Sequence, residues 1–194
     1  MSTIAFGHDI IIPDAGHIGS ATTPLSIQIE ADGTCALKKD TYWAGASSGL
    51  PYGSCYGNHI GWSQANAVQN TWYNISDADM ADGSLNLFTH DGNGKLTATK
   101  AGTYLINYQI CFEDDVVNDH IETGIEIDGS GSADNAGIGH AENKFASEEE
   151  HLSSTAILTL TAGQTIEIAI RTTDAGTPTI TVHSLNIAVV MVGG

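Results

Sequence analysis

The sequence predicts an all-β fold, an antiparallel sandwich or jelly roll with a short β-rich N-terminal arm. Three observations carry that reading. Residues 103–113 alternate at period two: Tyr104, Ile106, Tyr108, Ile110 and Phe112 share one face, and Leu105, Asn107, Gln109 and Cys111 share the other. Successive side chains of a strand point to opposite faces, so alternation this long marks a strand. Runs of strand length then follow one another with turn pairs between them. No segment shows a capped 3.6-residue period. Each large apolar side chain of the first face gains about 1.5–3 kcal/mol on burial, and its aromatic rings require a second layer to cover them.

Residues 1–40 read as an attachment arm. Ile10-Ile11-Ile12 is an extended run closed by Pro13, and Asp14-Ala15-Gly16 and Ile18-Gly19-Ser20 read as turns. Residues 25–30 alternate, then turn at Asp32-Gly33 into residues 34–37, a hairpin with Leu25, Ile27 and Ile29 on one face. An isolated hairpin is marginal in water and needs a surface to lie on. Ile10, Ile11, Ile12, Leu25, Ile27 and Ile29 are therefore the candidate attachment residues.

Residues 41–61 mix glycines with Tyr42, Trp43, Tyr52 and Tyr56. A flexible linker would lack such rings, so this stretch reads as an ordered connecting loop whose rings pack on a neighbouring surface. Residues 62–194 read as the jelly-roll domain, with strands expected at 70–76, 84–89, 95–99, 103–113, 120–128, 151–160, 165–172 and 179–192. Asp82-Gly83, Asp91-Gly92-Asn93-Gly94, Ala101-Gly102, Asp128-Gly129, Ala162-Gly163 and Asp174-Ala175-Gly176 supply turns between them. Residues 130–149, glycine-rich and then acidic, read as an exposed loop.

The chain of 194 residues carries 6 Lys+Arg against 23 Asp+Glu, a formal charge of −17. That balance argues against nucleic acid, which needs a basic surface, and against anionic membrane. Self-association would have to overcome repulsion or recruit cations. The N-terminus has neither a basic n-region nor an apolar h-region, so no secretory signal is expected. No apolar run reaches the roughly 20 residues of a spanning helix.

No cofactor, metal site or catalytic residue is expected. Cys35, Cys55 and Cys111 lie far apart with no CxxC spacing and read as reduced thiols, Cys111 as a small semi-buried hydrophobe. The histidines form no HxH or HExxH pattern, and no GxSxG elbow is present. Glu113-Asp114-Asp115 with Asp119 reads as a solvated negative loop in preference to a calcium site. Glu148-Glu149-Glu150 reads as a solvated rim. Asp91-Gly92-Asn93-Gly94-Lys95 fails the calcium-loop pattern and reads as a hairpin turn. Asn74-Ile75-Ser76 is a formal glycosylation sequon and, without a secretion signal, a chance match.

Three pieces resemble a known family. Gly102-Thr103-Tyr104-Leu105-Ile106-Asn107-Tyr108, preceded by Lys95-Leu96-Thr97-Ala98, is similar to the glycine-x-tyrosine strand of complement one-q globular heads, within the tumour-necrosis-factor-like jelly rolls. Residues 153–168, with Ala162-Gly163 as a tight turn, resemble that family's strand–turn–strand. Residues 183–191 resemble its last strand. The resemblance implies a jelly roll assembled as a homotrimer around a three-fold axis, without catalysis or a universal ligand. The candidate trimer contacts are Tyr104, Leu105, Tyr108 and Phe112, with either face of the strand open to the role: Tyr104 and Tyr108 share the core face, and Leu105, Asn107 and Gln109 point to the outer side with a mixed polarity that suits a partly wet subunit contact. The sequence departs from the family in the length of 130–149 and in lacking a Gly-X-Y stalk.

Residues 10–21 resemble a segment recurrent in structural proteins of tailed bacteriophages. Together the resemblances imply a virion structural protein, a homotrimeric capsid decoration protein whose partners are copies of itself and the major capsid protein. It would be made in the host cytoplasm and located in the virion. The alternative is a tail-fibre or receptor-binding tip engaging a host glycan through 130–149 and the aromatic loop; the third reading is a glycan-active enzyme.

Overall fold

The computed structural model describes residues 49–194 and, before them, three short strands: β1 (His17–Ile18), β2 (Ile27–Ile29) and β3 (Cys35–Ala36). The chain divides into two compact units, Met1–Gly49 and Leu50–Gly194. In the first, β2 is the central strand. It pairs antiparallel with β3, Gln28 opposite Ala36 and Ile29 opposite Cys35, which is the hairpin expected at 25–37. It also pairs with β1, His17 opposite Gln28 and Ile18 opposite Ile27. Ile18 thus belongs to a strand and not to a turn; a two-residue strand is too short for alternation to reveal it. Ile27 and Ile29 lie on β2, whereas Ile10, Ile11, Ile12 and Leu25 lie outside the described residues, as do Tyr42 and Trp43.

The second unit contains β4 (Tyr52–Gly57), β5 (Ser63–Gln64), β6 (Tyr73–Asn74), β7 (Ala81–Asn86), β8 (Phe88–His90), β9 (Leu96–Ala98), β10 (Gly102–Asp114), β11 (Asp119–Ile127), β12 (Asp134–Asn143), β13 (Glu150–Leu160), β14 (Thr165–Thr172) and β15 (Ile180–Gly193). One sheet runs β13-β10-β15-β4-β7, with β5 also on β15; the other runs β12-β11-β14-β9-β8, with β6 also on β14. From β9 to β15 the chain passes back and forth between the sheets, and its pairings are antiparallel. This is the expected all-β sandwich. Among the described residues no helix is long and apolar enough to cross a membrane.

The core lies between the sheets. Tyr104, Ile106, Tyr108, Ile110 and Phe112 from β10 are all fully buried, as the alternation requires. Ile121 and Ile125 of β11 and Ile166, Ile168 and Ile170 of β14, in the other sheet, are also fully buried. Phe88 meets Tyr104 edge to face, ring centroids 5.4 Å apart, a geometry that aligns the positive edge of one ring with the negative face of the other. The Tyr104 hydroxyl donates to Lys100 O at 2.8 Å.

Two stretches read as loops contain strands. Tyr52–Gly57, within 41–61, is a strand of the first sheet, paired with both β15 and β7. It alternates exposed Tyr52 and Tyr56 with buried Gly53, Cys55 and Gly57. A Cβ on Gly53 would stand 2.8 Å from Phe88 Cγ, so this inward position holds glycine because the opposite layer leaves no room. Residues 134–143, within 130–149, form edge strand β12, paired with β11. Its Gly137 faces the Ile125 side chain, with a Cβ position 2.6 Å from Cδ1. In both strands the glycine that signals a turn in sequence marks the close approach of a neighbouring side chain, Phe88 from the other sheet at Gly53 and Ile125 from the adjacent strand at Gly137.

Candidate functional site

The outward face of the β10 sheet is the surface on which the expected contact residues can be judged. Cross-strand register sets its rows. Tyr52, Val190, Leu105 and Ile157 form one. Ser54, Ala188, Asn107 and Thr155 form the next, and Tyr56, Asn186, Gln109 and Ser153 the third. None of these rows carries a charged side chain. Tyr52 is 41% exposed, Tyr56 43% and Ile157 61%, so the face presents an apolar row beside two rows of amides and hydroxyls. A shallow depression lies between Ser54, Tyr56, Asn107, Gln109, Asn186 and Ala188. Asn107 Nδ2 donates to Thr155 Oγ1 at 2.8 Å, which fixes the amide across the strands.

This geometry divides the expected contact residues between the two faces of β10. Tyr104, Tyr108 and Phe112 are wholly withdrawn into their own chain's core and have no surface to offer a partner. Leu105, half-buried on the outer face, is the member of that set in a position to meet one. The rows beside it include Asn107 and Gln109, whose place on the outer side and mixed polarity suit a partly wet subunit contact. Their signal is present in the sequence as the uncharged second face of the same alternation.

The next row along continues from Ser184 to Cys111 to His151. Here the Cys111 thiol, a Glu149 carboxylate oxygen and a His151 ring nitrogen lie within 4.8 Å of one another. Cys111 Sγ donates to Glu149 Oε2 at 3.8 Å. Burial pushes the Cys111 thiol up, and the neighbouring carboxylates of Glu149 and Glu113 add to this. Cys55, buried in the core, is pushed up to about 12 by desolvation, with Asp91 and Asp82 adding to it; that thiol is inert.

The acidic cluster after β10 is not the solvated loop expected. Asp114 and Asp119 are each 1% exposed and fasten the connection into β11. Asp114 Oδ1 accepts from Val116 N at 2.8 Å, and Asp119 Oδ1 accepts from the Thr172 hydroxyl at 2.8 Å. Burial, its largest cause, raises both carboxyls above their ordinary value. Asp115 is exposed and accepts from Thr179 N at 2.7 Å. Glu126 is buried too, its carboxylate accepting from the backbone N–H groups of Gly131 and Ser132. These acids are turn anchors: a carboxylate accepts backbone N–H groups that a tight loop would leave unpaired.

Two imidazole–carboxylate pairs stand elsewhere. Gly94 N donates to His90 Nε2 at 3.0 Å, so Nδ1 carries the proton and donates to Asp82 Oδ1 at 2.6 Å. Both ring nitrogens of His90 are thereby occupied structurally. His120 Nδ1 lies 2.7 Å from Asp174 Oδ2, which raises the imidazole from its ordinary value. The Asp91–Lys95 stretch is the hairpin turn expected, joining β8 to β9, with Asp91 Oδ1 accepting from Asn93 N and Lys95 N. The sequon residue Asn74 donates to Glu167 Oε2 at 3.1 Å on β6.

Topology and core together define the class: an all-β antiparallel sandwich resembling the jelly roll of tumour necrosis factor and complement one-q. Among solved structures the chain is similar to the Eiger tumour necrosis factor of S. frugiperda, at 14% identity and TM-score 0.47, over 74% of this chain and 94% of that one. It is similar to the globular domain of zebrafish complement 1qA, at 13% identity and TM-score 0.48, over 74% of this chain and 98% of that one. It is also similar to murine APRIL, at 12% identity and TM-score 0.47, over 72% of this chain and 98% of that one. No protein-family model and no curated protein sequence matches the chain.

Proposed function

We propose that this chain is a non-catalytic structural protein that assembles as a homotrimer through the outer face of the β10 sheet, and that its N-terminal residues attach the trimer to the capsid of a bacteriophage. The observation that carries the assembly reading is the absence of charge from the three rows around Leu105, Asn107 and Gln109 in a chain of formal charge −17. Copies of such a chain repel, and burying an unpaired carboxylate between them would cost several kcal/mol. The uncharged face lets them meet without either penalty. The Tyr52–Val190–Leu105–Ile157 row supplies apolar area, and the amide rows supply hydrogen bonds, the composition expected of an interface with an apolar centre and a polar rim. The attachment reading rests on the separate N-terminal unit and on the resemblance of residues 10–21 to phage structural proteins. The acidic remainder of the surface would keep decorated particles apart.

Sedimentation at micromolar concentration tests the assembly. The wild-type chain is expected as a trimer, and Ile157→Asp, at an exposed position, as a folded monomer. A monomeric wild type, or a trimer indifferent to Ile157→Asp and Asn107→Asp together, overturns the reading. Deleting residues 1–40 should leave the trimer and abolish capsid binding; a truncated chain that still decorates shells refutes the arm's role.

A further inference from the structure

The thiol, carboxylate and imidazole at the end of the β10 face come from two adjacent strands and form a mixed donor set. Cys111 and His151 are opposed register partners on β10 and β13, and such partners hold their Cβ atoms about 4.5–5.5 Å apart. Glu149 immediately precedes β13. The three donor atoms lie within 4.8 Å of one another. Around a tetrahedral zinc ion, with bonds of about 2.3 Å to sulfur and about 2.0–2.2 Å to nitrogen and oxygen, neighbouring ligand atoms stand about 3.4–3.7 Å apart. Glu149 and His151 are exposed, and small rotations of their side chains close the difference.

We propose that Cys111, Glu149 and His151 form a binding site for a divalent transition-metal ion of borderline softness, zinc being the ion that suits the set. Hard cations such as calcium take oxygen ligands and gain nothing from sulfur. A thiolate with an imidazole and a carboxylate selects zinc and its neighbours in the first transition row. The thiol now donates to Glu149 Oε2; binding exchanges that proton for the metal. The sulfur–hydrogen bond breaks, a sulfur–metal bond forms, and the proton leaves to solvent, with no redox change. The thiolate and carboxylate together match the charge of the ion. Glu113, two residues from Cys111 on the same strand face, adds negative charge, and its Oε2 lies 3.6 Å from His183 Nε2. The fourth position opens to solvent. All three donors belong to one chain, so no partner copy is needed to supply a ligand.

Cobalt(II) is the probe, added to the full-length, reduced, metal-stripped protein. One equivalent per chain is expected to give a thiolate-to-cobalt charge-transfer band with tetrahedral d–d bands, to release one proton, and to be displaced by zinc(II). Cys111→Ser should abolish the charge-transfer band. His151→Ala and Glu149→Gln should each weaken binding at least about tenfold, the scale on which even outer-shell partners act. Because Glu149 and His151 are exposed, those variants keep the fold and decide the matter should Cys111→Ser fail to fold. No thiolate band in the wild type, a band that survives Cys111→Ser, or unchanged affinity in both His151→Ala and Glu149→Gln overturns the proposal.

Discussion

Replacing Tyr108 by Phe removes one oxygen from the centre of the sandwich. The ring is fully buried, and its hydroxyl donates to Gly137 O at 2.9 Å while lying 2.9 Å from Thr123 Oγ1. With the phenolic proton committed to Gly137, the Thr123 hydroxyl is the donor in the second bond. Gly137 needs this partner because the β11–β12 ladder shifts register there: Thr123 pairs with Gly139, but Ile125 pairs with Asp134. A ladder that slips strands carbonyls, and the tyrosine from the opposite sheet covers one of them. Phenylalanine keeps the packing and leaves a buried carbonyl and a buried hydroxyl unpaired. Each orphaned group costs about 1–3 kcal/mol, so the expected loss is about 2–6 kcal/mol, with Tm falling about 2–4 °C for each kcal/mol in a unit of this size.

Urea unfolding at one fixed protein concentration reads the loss without confusing it with mass action among subunits. Thr123→Val in the Tyr108→Phe background removes the orphaned donor. The double variant should therefore be more stable than the sum of the single losses predicts, by at least about 0.5 kcal/mol. A Tyr108→Phe chain within about 0.5 kcal/mol of wild type, a change typical of an ordinary surface position, would refute the accounting.

Gly57→Ala should destabilise by about 1–3 kcal/mol, the usual cost of overpacking, because the new Cβ would overlap Ile60 Cγ2 and stand 2.8 Å from Met80 Sδ; thermal melting checks it. Asp114 gives a pH dependence. Burial raises its carboxyl above the ordinary value of 3.8, so between that value and its raised folded value the native state holds more protons than the unfolded one. Stability from this group is then full below 3.8 and lost as pH rises through the folded value. Asp114→Asn keeps the acceptor for Val116 N and removes the titration. Its Tm should gain on wild type as pH rises, and a constant difference from pH about 4 to 8 would contradict the linkage.

The parts of this fold that sequence revealed are those in which the core side is filled by large apolar residues. In β10, β13, β14 and β15 the period-two pattern is written in Tyr, Ile, Leu and Val, and the strands formed within a residue or two of their expected limits. In β4 and β12 the inward positions include Gly53, Gly57 and Gly137, where Phe88, Ile60 and Ile125 approach closely, and glycine in isolation reads as a turn. The same alternation that located β10 already assigned Tyr104, Tyr108 and Phe112 to the core. Alternation supplies two faces and does not say which of them meets a partner. Buried acids were the other blind spot: Asp114 and Asp119 resemble solvated loop residues until their hydrogen bonds to Val116 N and the Thr172 hydroxyl are in view. Cys111 and His151 meet through pairing register, which no spacing motif encodes.

The distribution of charge ties these observations together. A one-sided sheet facing water ordinarily carries charged residues outward, which keeps it soluble and blocks unwanted pairing. This chain has 23 acidic residues to distribute, places several inside turns, and sets Asn107, Gln109, Ser153, Thr155 and Asn186 on the broad outer face. Neutral amides and hydroxyls cost less to desolvate than carboxylates and are hydrated well enough before assembly. The face therefore suits a chain that folds first and associates afterwards against its own repulsion. The sign of the salt effect follows. Moving from about 0.01 M to 0.1 M salt shortens the screening length from about 30 Å to about 10 Å, which weakens repulsion between chains of charge −17 and leaves uncharged contacts untouched. Sedimentation should show assembly at lower protein concentration in the higher salt. Dissociation by salt would mean that ion pairs hold the subunits, and the uncharged face would lose its role.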